Sequence, residues 1–258
     1  MRIVVKVGTS TLAHHTGNLN IRRVEDLTRV LSDIKNAGHE ILLVSSGATG
    51  MGEGKLGLTE NMEDIAVKQA ASSVGQCELM YTYDRLFSQY NHVVGQVLLS
   101  SADVEDETRK ANLRNTFARL LEFHVLPIIN ENDSVATEEF YIGENDRLAV
   151  LTATLVDADL IVLLSDIDGL YTADPKQDPS ATLIPQVEEV TPEIEQLAGG
   201  TGSELGSGGM AAKVAAAKIA VEAGYNVIIA NGAHPEILYD IMDGKEAGTH
   251  FIARKDRS

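Results

Sequence analysis

Two polar clusters stand close together near the middle of the chain, Asn130-Glu131-Asn132-Asp133 and Gly143-Glu144-Asn145-Asp146. Their amides can donate and accept hydrogen bonds, and their carboxylates can hold or orient cations. The first follows the apolar run Val125 to Ile129, which reads as a strand, and the second immediately precedes a helix. A short β-prone segment joins them, so one hairpin could bring both to a single cleft. Turn chemistry alone also explains Asn-Asp pairs, so a shared site depends on what the rest of the chain supplies.

Two lysines occupy unusual settings. Lys6 interrupts the apolar stretch Arg2 to Val7, just before Gly8-Thr9-Ser10, and an unpaired lysine is costly to bury. It either snorkels to water at the strand end or extends toward an anion, with Gly8 letting a ligand approach the backbone. Lys213 falls in the first turn of a helix that follows the glycine-rich run 199–209. Helix N-termini offer unpaired amides and a partial positive charge, and therefore bind phosphate. A lysine there suits an anion held by the loop; a solvated lysine beside a surface loop is the plainer alternative. Asp166 and Asp168, following a buried strand, could assist a nucleotide or its metal, although Asp168-Gly169 is also a turn signal.

Familiar motifs are missing. No G-x-x-x-x-G-K-[ST] occurs, and the G-x-G-x-x-G match at Gly52 to Gly57 sits beyond its strand without a clear strand-end acid about 20 residues later. The seven histidines are dispersed, so no His/Cys metal site is expected, and no G-x-S-x-G elbow exists.

These residues need elements to position them. Strands are expected over 2–7, 40–45, 93–99, 125–129, 160–164 and 226–230, with a last one over 248–253. Helices are expected from an Asn20 cap to Gly38, over 62–90 with a break near Gly75, over 107–123, over 147–156, and from Met210 to Gly224. Residues 172–185, with three prolines, read as surface connection. Continuous apolar strands alternating with amphipathic helices imply an α/β fold, a mainly parallel open sheet sandwiched between helices. In such sheets ligands bind beyond the carboxyl ends of the strands, where the Gly, Ser, Asn and Asp clusters recur.

Composition sets the outer limits. With 258 residues and 44% hydrophobic content, the chain can bury a sizeable core, and one domain over 1–258 is expected. A net charge of −17 argues against nucleic acid as partner. The single cysteine, Cys77, fits a reducing compartment. Lys6 breaks the apolar N-terminal run, so no signal peptide is expected. No apolar run reaches the ~20 residues that span a bilayer, and a cytoplasmic protein without a membrane partner is expected.

Taken together, Lys6-Val-Gly-Thr-Ser10, Ser45-Ser46-Gly-Ala48, the two Asn-Asp clusters, Ser165-Asp166 and Gly208-Gly-Met-Ala-Ala-Lys213 resemble the amino acid kinase family. Within it they look most like the branch that acts on L-glutamate. That resemblance implies transfer of the ATP γ-phosphoryl group to the glutamate side-chain carboxylate, the first step of proline synthesis, with Mg²⁺ carried on the ATP phosphates. It implies Lys6 and Lys213 as phosphoryl-stabilising lysines, with Asp146 aiming both. Ser46, Asp133 and Asn145 would bind glutamate, supported by Asn130 and Asn132. Besides Lys6, the ATP positions would be Ser165, Asp166, Ser207, Gly208, Gly209, Met210, Ala211, Ala212 and Lys213. Proline as feedback inhibitor and a homo-oligomer are further implications. Many members of that branch continue into a C-terminal PUA domain, which is not expected here. The alternatives are a related kinase acting on N-acetylglutamate or aspartate, and a catalytically silent amino-acid sensor.

Overall fold

The computed structural model describes residues 1–14, 18–58, 64–135, 144–199 and 209–254. Its strands are β1 (Arg2–Val7), β2 (Glu40–Ser45), β3 (Val94–Leu99), β4 (Leu126–Glu131), β5 (Leu160–Ser165), β6 (Gln186–Val187), β7 (Asn226–Asn231) and β8 (Thr249–Phe251). They form one sheet in the order β3-β4-β2-β1-β5-β7-β8-β6. Every pairing is parallel except β7 with β8. The helices are α1 (Thr9–Leu12), α2 (Ile21–Asn36), α3 (Ala48–Leu56), α4 (Ile65–Ser88), α5 (Ser101–Glu105), α6 (Glu107–Glu122), α7 (Glu144–Val156), α8 (Pro192–Ala198), α9 (Met210–Glu222) and α10 (Ile237–Met242).

The two-residue period of the strands divides the core into two layers. Ile3, Val5 and Val7 of β1 pack with Leu27, Leu31, Leu79, Phe87 and Leu238, from α2, α4 and α10. Val4 faces the other way, with Phe117, Ala149, Ala153, Val214 and Ala217 from α6, α7 and α9. Lys6 shares the parity of Val4, so it emerges on the side of α7 and α9. Residues buried on both faces explain why these strands read as continuous apolar runs rather than as alternating ones.

Most expected elements are present within a residue or two. Asn20 caps α2 by accepting from the Arg23 backbone N–H at 3.2 Å. Gly38, at φ 94°, turns the chain out of that helix. The expected break at Gly75 does not occur: α4 runs unbroken for 24 residues. Gly75 instead permits a close helix crossing. A Cβ on it would lie 1.7 Å from the Ala48 carbonyl oxygen, and one on Gly52 1.7 Å from that of Ala71. Gly52 of the weak G-x-G-x-x-G match thus serves helix packing. A second correction concerns α7, which begins at Glu144, so Asn145 and Asp146 lie in its first turn rather than before it. The expected hairpin between the Asn-Asp clusters falls at 136–143, outside the described residues. Short elements without a long apolar period, namely α1, α3, α5, α8, α10 and β6, escaped the sequence reading.

Candidate active site

Beyond the carboxyl ends of β1, β2, β4 and β5 lies a cleft of about 280 Å³. It opens where the sheet order reverses: the chain leaves β1 toward β2 on one side, while β5 and β7 lie on the other. Such switch points are where open α/β sheets bind ligands. Lys6, Ser46, Asn130, Asp133, Asn145, Asp146, Ser165, Asp166 and Lys213 all line it.

At its floor, Asp146 joins the two lysines. Lys6 Nζ lies 2.8 Å from Asp146 Oδ1 and Lys213 Nζ lies 3.1 Å from Oδ2. All three side chains are buried, Asp146 at 1% exposure. Burial lowers the Lys6 pKa from its ordinary value; the Asp146 carboxylate opposes that shift, and the neighbouring Lys213 ammonium adds to it. One carboxylate thus holds two buried ammonium groups at the cleft, and a phosphoryl group brought there would meet both. Gly8 keeps the approach open: a Cβ there would stand 3.4 Å from Lys6 Nζ.

A polar network lines the other wall. Asn145 Nδ2 donates to Ser46 Oγ at 2.6 Å and to Asn130 Oδ1 at 3.0 Å. Asp133 accepts from Ser72 Oγ at 2.6 Å. Burial pushes the Asp133 carboxyl pKa up, and the Ser72 hydroxyl opposes the shift. Gly47, at φ 105°, turns the chain between Ser46 and α3, so the first residues of that helix face the cleft. Asn132 stands apart from the other candidates. It does not line the cleft, and its Oδ1 accepts from Ser134 Oγ at 2.5 Å, closing a turn. Arg147 is exposed and likewise does not line the cleft.

On the β5 side, Ser165 Oγ donates to Asp166 Oδ1 at 3.3 Å. Asp168 is engaged away from the cleft by Asn231 Nδ2 at 2.8 Å and Tyr171 OH at 2.9 Å, and these bonds hold its carboxyl below the usual range. Gly209 stands at the N-cap of α9, followed by Met210, Ala211 and Ala212 in its first turn. Lys213 lines the first cleft, while Met210 lines a neighbouring cavity of about 590 Å³ with Gly169, Leu170, Tyr171, Pro175 and Leu197. Ser207 and Gly208 lie outside the described residues.

Thr9, Ser10 and Glu131, which stood inside the sequence clusters without a role of their own, also line the cleft with Thr49, and sequence reasoning passed over Ser72 and Gln76 behind it. The first four follow or end strands, a signal that could have made them candidates. Nothing in the apolar spacing of α4 marks Ser72 or Gln76.

An open, mainly parallel sheet with two lysines gathered on one aspartate at its switch point has the make-up of an anion site that suits a phosphoryl group. The chain belongs to the amino acid kinase family, whose profile matches residues 1–231. Two curated relatives, each called glutamate 5-kinase, are 50% identical to it. The one from Clostridium perfringens aligns over 98% of this chain and 96% of its own length. The one from Moorella thermoacetica aligns over 100% of this chain and 68% of its own. Among solved structures, UMP kinase from Bacillus anthracis superposes with a TM-score of 0.65 at 19% identity, covering 97% of this chain and 95% of that one. At that identity the likeness concerns the fold.

Proposed function

We propose that this chain transfers the γ-phosphoryl group of ATP to the side-chain carboxylate of L-glutamate, giving γ-glutamyl phosphate and ADP. A carboxylate oxygen attacks phosphorus as the bond to the β,γ-bridging oxygen breaks. The attacking group is already anionic, so no general base is required. Catalysis then consists of alignment and charge stabilisation. The observation that carries this reading is the Lys6–Asp146–Lys213 arrangement, in which one carboxylate aims two buried ammonium groups at a single cleft.

Lys6 and Lys213 would bear on the transferring phosphoryl oxygens, and Asp146 would keep both charged and aimed. Asp133 and the amides of Asn130 and Asn145, with Ser46, suit the ammonium and α-carboxylate of a free amino acid. Ser165, Asp166 and the start of α9 would hold the ATP phosphates, with the base in the cavity beside Met210. Mg²⁺, arriving on those phosphates, supplies further charge neutralisation. Among the described residues no group of three or more His, Cys, Asp or Glu side chains is arranged for a metal.

The same reading makes the product the first intermediate of proline synthesis. Proline, which shares a carboxylate beside a cationic nitrogen with glutamate, is the expected feedback inhibitor. One kinase domain, a homo-oligomeric assembly and a cytoplasmic location complete it. Among the described residues no helix is long and apolar enough to cross a membrane.

Trapping the acyl phosphate with hydroxylamine tests the reaction, using Mg-ATP with L-glutamate, N-acetylglutamate or L-aspartate, each with and without proline. Hydroxamate from glutamate alone, diminished by proline, is expected. Hydroxamate from another acceptor reassigns the substrate, and none from any acceptor in folded protein overturns the kinase reading in favour of a sensor.

A further inference from the structure

Helix α4 contributes two polar side chains, one turn apart, to the back of the acceptor wall. Ser72, 4% exposed, donates to Asp133 Oδ2. Gln76, 8% exposed, accepts from Asn130 Nδ2 at 2.9 Å and donates to Gln96 Oε1 at 3.2 Å. Neither lines the cleft, and each is bonded to a residue that does.

The polarity of this amide chain is set by a group that can only donate. The Glu131 backbone N–H donates to Asn130 Oδ1 at 2.9 Å, so the other end of the Asn130 amide is its Nδ2 donor. That donor meets Gln76 Oε1. Because Asn130 Oδ1 also accepts from Asn145, the Asn145 amide is oriented in turn: its Nδ2 serves Asn130 and Ser46. Its Oδ1 is a buried acceptor to which no described residue donates. Buried acceptors without donors are rare and costly, and a donor entering the cleft would satisfy this one. The ammonium of an amino acid is such a donor, and Asp133 is a nearby carboxylate in the same cleft.

We propose that Ser72 and Gln76 are positioning residues for the acceptor: Ser72 aims Asp133, and Gln76 anchors the Asn130 amide, in the polarity the Glu131 N–H sets, so that Asn145 is held with its Oδ1 left for an ammonium group. This rests on the phosphorylation of a free amino acid proposed above. The pair tunes the site for a free amino acid over an N-acylated one, which brings a single N–H and no charge.

The experiment compares the unsubstituted chain with Ser72→Ala, Ser72→Thr and Gln76→Met, each checked for folding by its unfolding midpoint. Glutamate-dependent hydroxamate from the unsubstituted chain comes first, and its absence defeats the function reading itself. Given that activity, Ser72→Ala and Gln76→Met each raise the glutamate KM about 10-fold, the cost of one hydrogen bond, with ATP KM and kcat within about twofold. Ser72→Thr keeps the hydroxyl and restores the glutamate KM.

The pH profile separates aiming from mere packing. Asp133 binds an ammonium as a carboxylate, and Ser72 favours that charged form against the effect of burial. The other charged groups around the cleft, Lys6, Glu131, Asp146, Asp166 and Lys213, are the same in every variant. Ser72→Ala therefore moves the acidic limb of kcat/KM for glutamate to higher pH, and Ser72→Thr leaves it in place. Gln76→Met, which keeps the side-chain length, carries the test if Ser72→Ala does not fold. A drop in kcat with unchanged glutamate KM, an unmoved acidic limb in folded Ser72→Ala, or no rescue by Ser72→Thr overturns the proposal.

Discussion

Lys6, near the end of the first strand, lies 2.8 Å from Asp146, in the first turn of α7, with both side chains buried. Strand parity makes the meeting possible, because Lys6 shares the face of Val4 on which α7 and α9 pack. The second oxygen of Asp146 takes Lys213 of α9 at 3.1 Å. One carboxylate thus fixes the separation of two cations delivered by distant parts of the chain.

Replacing that carboxylate by its neutral isostere removes the only negative member of the trio. Asp146→Asn is expected to lower kcat by on the order of 10²–10³ and to cost about 3–5 kcal/mol of stability, as when a buried ion pair loses one partner. Steady-state kinetics and urea unfolding measure the two effects. Near-normal kcat would remove Asp146 from the machinery.

Lys213→Ala separates phosphoryl stabilisation from acceptor binding. Turnover should fall at least about 100-fold, while calorimetric binding of L-glutamate persists, because the proposed acceptor wall consists of Ser46, Asn130, Asp133 and Asn145. Loss of glutamate binding along with turnover contradicts that division.

Asp133→Ala acts on the opposite end of the cleft. The glutamate KM should rise by about 100-fold, as expected when a charge-assisted hydrogen bond is lost, with the ATP KM nearly unchanged. Equal changes in both constants would take Asp133 out of the acceptor site.

The alkaline limb of the kcat profile is expected to report Lys6. The proposed role needs its ammonium form, and burial lowers its pKa below the ordinary 10.5, with Asp146 opposing the shift. Activity should therefore decline with rising pH earlier than for an unperturbed lysine. In Asp146→Asn, the opposing influence is gone and the limb should move to still lower pH. A limb that stays in place in that variant rules out Lys6 as the titrating group.

Gly75→Ala probes the crossing of α3 and α4. Its new Cβ would fall 1.7 Å from the Ala48 carbonyl oxygen, so the helices must separate. Overpacking of this kind costs about 1–3 kcal/mol. A lower melting temperature should accompany a raised glutamate KM, since α3 starts at the cleft and α4 carries Ser72 and Gln76. Wild-type stability would contradict a close crossing of α3 and α4 at Gly75.

Much of this molecule was legible in the residues. The doubly buried strands announced themselves as apolar runs, the Asn20 cap and Gly38 marked the ends of α2, and a lysine inside an apolar strand had either to reach water or to find an anion. Those signals are local, arising from backbone sterics, periodicity and the cost of burying charge. Gly75 misled because glycine weakens a helix in isolation, while here it allows another helix to come close. Asn132 and Asn145 looked alike as neighbours of aspartate. Their side chains part only because Asn132 closes a turn and Asn145 sits on α7, reaching back to Ser46 and Asn130. The sequence by itself determined which polar clusters and lysines were candidates for chemistry, and most of the strands and longer helices that carry them. Only the tertiary structure decided that Asp146 is shared by Lys6 and Lys213, and that Ser72 and Gln76 stand behind the acceptor wall. Those relations join residues far apart in the chain, and strand order and helix packing, not local propensity, bring them within hydrogen-bond reach.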